Sequence, residues 1–314
     1  MVPQSLLYVP HYSVVKPSFS AKLNTPILEA VINIQTGKSC AHGKCNFCSL
    51  GNAEREKTTM PLTDAELHSQ LQKGLRGIEN AKKLSIVSNC HSTITSEVVS
   101  ESALIPVISF AAENGIQELS FETRMDVFLM PEMQRILSRL AHVARSFNLP
   151  VEITCGIETP YEHERNAVMN KGLTDDQIRK AAKEIFSYGF SLRAYHIFLP
   201  PTVEFKGEET HMQEFAKLKK MLDFLNDLRT HEGNAIHLWV IPGYSSDNSA
   251  AFTPPDLAKV GNAMNLASFT AIARDIPMYL VEEDIGMIQS DTTRIPEPSL
   301  IDKLRKQNQV GWLR

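Results

Sequence analysis

The chain has 314 residues, 43% of them hydrophobic and 22% charged, with 15 Gly, 17 Pro and five Cys, a balance that excludes a collagen, a disordered chain and a disulfide-rich miniprotein. Lys plus Arg number 32 against 36 Asp plus Glu, a net charge of -4, so no global basic field marks a binder of nucleic acid or anionic membranes, although a local basic groove escapes such a count. At roughly 100 to 200 residues per domain the length suits two domains or one α/β barrel. The odd cysteine count, the absence of a signal-peptide pattern at the N-terminus and the lack of any long apolar run predict a reducing, cytoplasmic setting and no spanning helix.

From about residue 27, short β-branched runs alternate with stretches of helical period, the pattern of repeated βα units around a parallel sheet. The predicted strands are EAVINIQ (29–35), LSIVSN (84–89), ELSFETR (118–124), VEITCGIET (151–159), LRAYHIFL (192–199) and AIHLWVIP (235–242). Five helices are expected between them. The first starts at Thr63, whose spacing to Glu66 is that of a capping box, and carries Leu67, Leu71, Leu75 and Ile78 on one face. Thr174 and Gln177 repeat the box before Ile178, Ala181, Ala182 and Ile185. A helix over about 211–230 aligns Phe215, Leu218, Leu222 and Leu225, leaving Lys217, Lys219 and Lys220 to a solvated face. Residues 243–256 read as a loop, followed by a helix around 257–275, a strand MYLVEE (278–283) and a polar tail. Six βα units make either an incomplete barrel or a wound open sheet, and in both the functional residues gather at the carboxyl ends of the strands. The simplest organisation is an N-terminal extension (1–26), one α/β domain (27–245) and a small C-terminal extension (246–314).

Directly after the first predicted strand comes TGKSCAHGKCNFCSLGNAE, with Cys40, Cys45 and Cys48 separated by gaps of four and two residues. Such a loop can bring three thiolates to one inorganic centre, with Gly43 and Gly51 supplying backbone freedom. Zinc, recruiting His42 or Cys90 as a fourth ligand, is one alternative; a Cys45–Cys48 redox pair or three unrelated thiols are others.

The loop resembles the signature of the radical S-adenosylmethionine superfamily, in which three cysteines hold a [4Fe-4S] cluster and an aromatic residue, here Phe47, precedes the third. The usual first gap is three residues, so four departs from the common form. ELSFETRMDVF, and then EITCGIETPYEHERNAVMNKG running on to LRAYHIFLPP, extend the resemblance over roughly 28–245. It points to the Elongator-catalytic-subunit and methylthiotransferase-like enzymes, closest to the branch holding the archaeosine-forming lyase that acts on modified transfer RNA.

The resemblance implies a partial (β/α)6 TIM-like barrel and S-adenosylmethionine chelated to the open iron. It further implies reductive cleavage of that cofactor to a 5'-deoxyadenosyl radical that abstracts hydrogen, with flavodoxin or ferredoxin as electron donor. Glu122 and Arg124, two apart on a strand, share a face. By resemblance Glu122 accepts from the cofactor's amino group, and Arg124 can clamp the cofactor's carboxylate or a substrate anion, unless the two form an internal ion pair. Glu158, at the end of the face shared by Glu152, Thr154 and Gly156, is implied to meet the ribose hydroxyls. Lys171 in the NKG stretch is implied to meet the cofactor carboxylate, with Arg124 and Arg165 as competitors and a surface position preferred for Arg165.

Where relatives carry a Gly-Gly-Glu-like stretch that offers backbone carbonyls to the amino group, this chain has Ser88, Asn89, Cys90 and His91. Ser88 and Asn89 can still serve that way, while Cys90 and His91 become candidates for substrate chemistry, against the alternative of a buried loop thiol. On the fifth strand either Tyr195 or His196 faces the substrate, and periodicity does not choose. On the sixth, His237, Trp239 and Ile241 share a face, with Trp239 read as core.

No second cysteine triad is present for an auxiliary cluster, which argues against methylthiolation. The expected substrate is a small metabolite or modified nucleoside. Transfer RNA is an alternative weakened by the charge, aminocarboxypropyl transfer is another, and a metal-binding module without turnover is the reading from outside enzymology.

Overall fold

Eight strands stand in chain order in one sheet: β1 (Ser13–Ser20), β2 (Thr25–Ile34), β3 (Lys83–Ser88), β4 (Glu118–Glu122), β5 (Val151–Glu158), β6 (Ser191–Phe198), β7 (Ile236–Pro242) and β8 (Met278–Leu280). The computed structural model describes residues 13–20, 25–34, 40, 42–48, 62–76, 78–88, 92–95, 99, 101–198, 208–230, 233–242, 271 and 274–280. Strands β2 to β7 are parallel and alternate with helices, giving the expected α/β partial barrel of TIM type. The helices are α1 (Asp64–Leu75), α2 (Glu101–Glu113), α3 (Pro131–Ser146), α4 (Asp175–Ser187) and α5 (Glu208–Leu228). The loop expected at 243–256 and nearly all of the helix expected near 257–275 lie outside the described residues.

Two elements differ from expectation. Residues 13–20, read as part of an N-terminal extension outside the α/β domain, form β1 and pair antiparallel with β2, from Ser13 opposite Ile32 to Ser20 opposite Thr25. Pro17 within it is tolerated because β1 is at the sheet's edge. The α1 helix stops at Leu75, one turn short of Ile78, and its buried face is Leu67, Leu71 and Gly74. A Cβ at Gly74 would lie 2.8 Å from Ile32, so the helix needs glycine to sit this close to β2. Its N-terminus closes as the sequence predicts: Thr63 N–H donates to Glu66 at 2.9 Å, and Thr63 Oγ1 accepts from Glu66 N–H at 3.3 Å. The Thr63 backbone and hydroxyl hold the Glu66 carboxyl below its ordinary pKa.

The chain divides into two compact units. The first comprises Met1–Gly43, Leu50–Cys155 and Lys180–Leu192. Its apolar strand faces, with Ile32, Ile34, Leu84, Ile86, Leu119, Phe121, Ile153 and Cys155, are buried. The opposite faces carry polar groups: Ser85 donates to Glu29, Ser20 to Glu118, and Ser120 and Thr154 lie 2.8 Å apart. Lys83, fully buried, pairs with Glu118 and, at 2.8 Å, with Glu152. The second unit comprises Lys44–Ser49, Gly156–Arg179 and Arg193–Arg314. In it β8 extends the sheet by parallel pairing with β7, Leu238 opposite Met278.

Candidate active site

In the first unit the carboxyl end of β4 is held by the segment that follows β3. Thr93 donates to the Glu122 carbonyl through its N–H at 3.0 Å and its hydroxyl at 2.7 Å, and Ser92 Oγ accepts from Arg124 N–H at 3.0 Å. The strand ends at Glu122, so Arg124 is not a strand neighbour on the same face. Its guanidinium forks onto Asp126, Nε to Oδ1 at 3.0 Å and Nη2 to Oδ2 at 2.9 Å. Ser88 is buried at the end of β3. Asn89, Cys90 and His91 fall outside the described residues.

In the second unit the end of β5 turns sharply. Thr159 N–H donates to the Ile157 carbonyl at 2.9 Å across Glu158, whose φ is +71°. A γ-turn with positive φ at a non-glycine residue is a strained conformation of the kind that clusters at functional sites. It folds the Glu158 side chain back over Gly156 to meet Lys171 Nζ at 2.5 Å, with both side chains largely buried. A Cβ on Gly156 would lie 2.0 Å from Glu158 Oε1 and 2.7 Å from Lys171 Nζ. Glycine in the GIET stretch is thus the space in which this ion pair sits.

Lys171 reaches Glu158 because the chain from 164 to 173 is tightly set. A π-helical turn over Glu164–Val168 is followed by Asn170 at φ +53° and Gly172 at φ +65°, left-handed positions that Asn and Gly tolerate. Arg165, expected at the surface, is instead fully buried. Its Nε donates to the Leu173 carbonyl at 2.7 Å, Nη1 to the Thr159 carbonyl at 2.8 Å, and Nη2 pairs with Asp175. The rigid fork ties two backbone carbonyls and the Asp175 carboxylate together, which a surface position could not do. Thr174 N–H donates to Gln177 Oε1 at 2.9 Å and Gln177 N–H to Thr174 Oγ1 at 3.2 Å, closing the second predicted capping box.

The cysteine loop meets this segment. Lys171 Nζ lies 5.6 Å from the centre of the Phe47 ring, and Phe47 packs with Met169 and Ile197, with Cys45 and Cys48 against that patch. Ile197 and Tyr195 lie two apart on one face of β6, so the strand face that meets the loop carries Tyr195 and not His196. Tyr195 stands 6.0 Å from Trp239, and the Arg193 guanidinium lies 3.8 Å from the Trp239 ring centre. Trp239 is buried, as a core reading requires, but its neighbours are a cation and a phenol.

His196 occupies the other face, fully buried. Burial, then the Lys217 charge, push its pKa down to about 3, and the backbone of Glu158 opposes this weakly; neither ring nitrogen makes a hydrogen bond of normal geometry. Lys217 does not lie on the solvated face expected of it. It turns in to Glu164 at 2.5 Å and Glu214 at 2.6 Å, and Thr159 Oγ1 donates to Glu164 at 2.5 Å. Burial works against its charge, yet the two carboxylates hold its pKa above the ordinary value. Because His196 is neutral when folded and titrates near 6.5 when unfolded, the unfolded chain takes up the proton between these values and stability falls as pH drops. We expect His196→Phe to remove about 1 kcal/mol of acid destabilisation at pH 5.5 relative to pH 7.5, read from urea unfolding at both values. Equal losses in variant and parent would show that His196 is not the group responsible.

Cys40, Cys45, Cys48 and Cys155 are all outside disulfides; the first three are half-buried and Cys155 is fully buried. Thiolates are soft ligands of the kind that iron–sulfur clusters and zinc both take. Among the described residues no three His, Cys, Asp or Glu side chains converge on a point for one metal ion. The sequence did not single out Asn46, Asn170, Glu164 or Lys217 as parts of this site. Only the left-handed preference of the Asn in NKG was a readable signal for any of them.

No family model and no curated protein matches the chain. Among solved structures, SuiB of Streptococcus suis bound to S-adenosylmethionine is 14% identical, with a TM-score of 0.49 over 78% of this chain and 45% of that one. The cobalamin-dependent S-adenosylmethionine radical enzyme OxsB, with aqua-cobalamin bound, is 12% identical, with a TM-score of 0.41 over 89% and 46%. This chain therefore spans less than half the length of either. Spore photoproduct lyase complexed with a dinucleoside spore photoproduct is 11% identical, with a TM-score of 0.50 over 80% of this chain and 76% of that one. At such identities a likeness speaks for architecture alone, and the architecture this chain shares with spore photoproduct lyase is the α/β partial barrel.

Proposed function

We propose that the chain is a radical S-adenosylmethionine enzyme with one [4Fe-4S] cluster held by Cys40, Cys45 and Cys48. The observation that carries this is the cysteine loop seated against the Glu158–Lys171 pair, with Phe47 between them. When bound, the cluster supplies the electron for reductive cleavage of S-adenosylmethionine, and so a 5'-deoxyadenosyl radical that abstracts hydrogen from substrate. Lys171, fixed over Phe47, supplies the cation for the cofactor's carboxylate. Glu158 is engaged by Lys171 through Oε1, and its second oxygen accepts from ribose hydroxyls. Glu122 is the acceptor for the amino group, at a strand end that Thr93 fixes. Tyr195, beside Trp239, presents a phenol to the substrate. Both cations are ion-paired, Arg124 with Asp126 and Lys171 with Glu158, and we choose Lys171 for the cofactor because it stands over Phe47 of the cysteine loop.

The substrate class we favour is nucleoside-bearing, in keeping with the archaeosine-type resemblance and with the dinucleoside in the lyase of like fold. A small metabolite is the second class. Flavodoxin or ferredoxin is the proposed electron donor, and no helix among the described residues is long and apolar enough to cross a membrane.

The test is anaerobic reconstitution with iron and sulfide, reduction in the presence of S-adenosylmethionine, and mass spectrometry of the products. Iron with 5'-deoxyadenosine is the expected result. Methylthioadenosine in its place would mean transfer of the aminocarboxypropyl group. Zinc without iron, or intact S-adenosylmethionine, would remove the enzyme reading.

A further inference from the structure

Four hydrogen-bonding and packing contacts join the cysteine loop to the segment just before Lys171. Asn46 N–H donates to the Met169 carbonyl at 2.9 Å, and Asn46 Nδ2 donates to the Val168 carbonyl at 2.8 Å. In return Asn170 Nδ2 donates to the Lys44 carbonyl at 2.9 Å. Beneath these bonds Phe47 and Met169 are buried together. Each asparagine side chain thus reaches across to the backbone of the other's segment, at the point where one segment carries Cys45 and Cys48 and the other carries Lys171. The π-helical turn and the left-handed Asn170 aim that second segment at the loop. Neither feature is needed to continue into α4, whose start is already set by Thr174 and Gln177.

We infer that Asn46 and Asn170 are positioning residues that clamp the cysteine loop onto the Lys171 segment and set the thiols of Cys45 and Cys48 before any metal arrives. The clamp also makes the loop and the Glu158–Lys171 pair move as one body, so a ligand that engages Lys171 stiffens the loop and a metal on the loop fixes Lys171. The metal-binding part rests on the function proposed above; the clamp itself does not.

Two variants separate loss of the clamp from loss of the fold. Asn170→Gly keeps the left-handed backbone and deletes the donor, and Asn46→Ala deletes the other donor while its backbone bond remains. In the metal-free, full-length protein we expect each variant to raise hydrogen exchange at residues 44–48, and the alkylation rate of Cys45 and Cys48 by iodoacetamide, by about tenfold, the equivalent of one net hydrogen bond. Cys155, fully buried in β5, must stay unreactive in the same sample; its alkylation would report general unfolding and overturn the assignment of a local role. Unchanged exchange and alkylation at the loop in both variants would overturn the clamp. In reconstituted protein the variants should release iron to a chelator about tenfold faster than the parent. If the parent takes up no iron while the variants still loosen the loop, the proposed function fails and the clamp stands.

Discussion

Under the function proposed above, replacing Gly156 with alanine is expected to weaken binding of S-adenosylmethionine by roughly two to four orders of magnitude while leaving the fold in place. The added methyl would sit 2.0 Å from Glu158 Oε1 and 2.7 Å from Lys171 Nζ. Those atoms are the ends of two flexible side chains, so the backbone of β5 need not shift, and alanine suits a strand interior at least as well as glycine. What cannot survive is the ion pair, because the volume it crosses is filled. If Glu158 and Lys171 each give the cofactor a charge-assisted hydrogen bond of about 1.5–3 kcal/mol, losing both raises Kd by roughly 10²–10⁴-fold. Anaerobic equilibrium dialysis of the reconstituted variant measures this, with thermal unfolding as the control for fold. A Kd within threefold of the parent would mean that the pair does not meet the cofactor, whatever else the protein does.

That prediction could not have been written from the sequence. Period-two alternation places Gly156 and Glu158 on one face of β5, but treats Glu158 as an ordinary strand residue. The γ-turn at φ +71° that bends its side chain back onto Gly156 is visible only in three dimensions. The strands themselves were legible because their β-branched runs are short and bounded, and the capping boxes at Thr63 and Thr174 because they are local. β1 was missed because a strand that pairs antiparallel at the edge stands outside the βα alternation from which the others were read. Lys217 was misplaced for a related reason. Helical spacing sets it off the apolar stripe of α5, but a long lysine stem can bend toward carboxylates brought from elsewhere in the chain, here Glu164, and these are beyond any pattern within the helix. Arg165 was misjudged in the same way, since its partners lie on turns that a linear reading cannot bring together.

Lys83→Met is expected to be the most destabilising single change in the first unit. Lys83 is fully buried between Glu118 and Glu152, themselves 1% and 0% exposed, and Ser20 also donates to Glu118. Methionine matches the lysine stem in length, so little packing is lost, but two buried carboxylates lose the cation that both face. Breaking a buried pair from one side costs about 3–5 kcal/mol, because the remaining charge is left in a low-dielectric interior. Urea unfolding of the full chain measures the loss, and a change below about 1 kcal/mol would show that Lys83 does not neutralise these carboxylates. The origin of the effect is tested by a second step. Lys83→Met combined with Glu118→Gln and Glu152→Gln removes the stranded charges while keeping groups of similar shape and hydrogen-bonding capacity, and should recover more than half of the loss. No recovery would place the cost in packing around β3 instead of in charge, since the triple variant and the single variant share the same methionine.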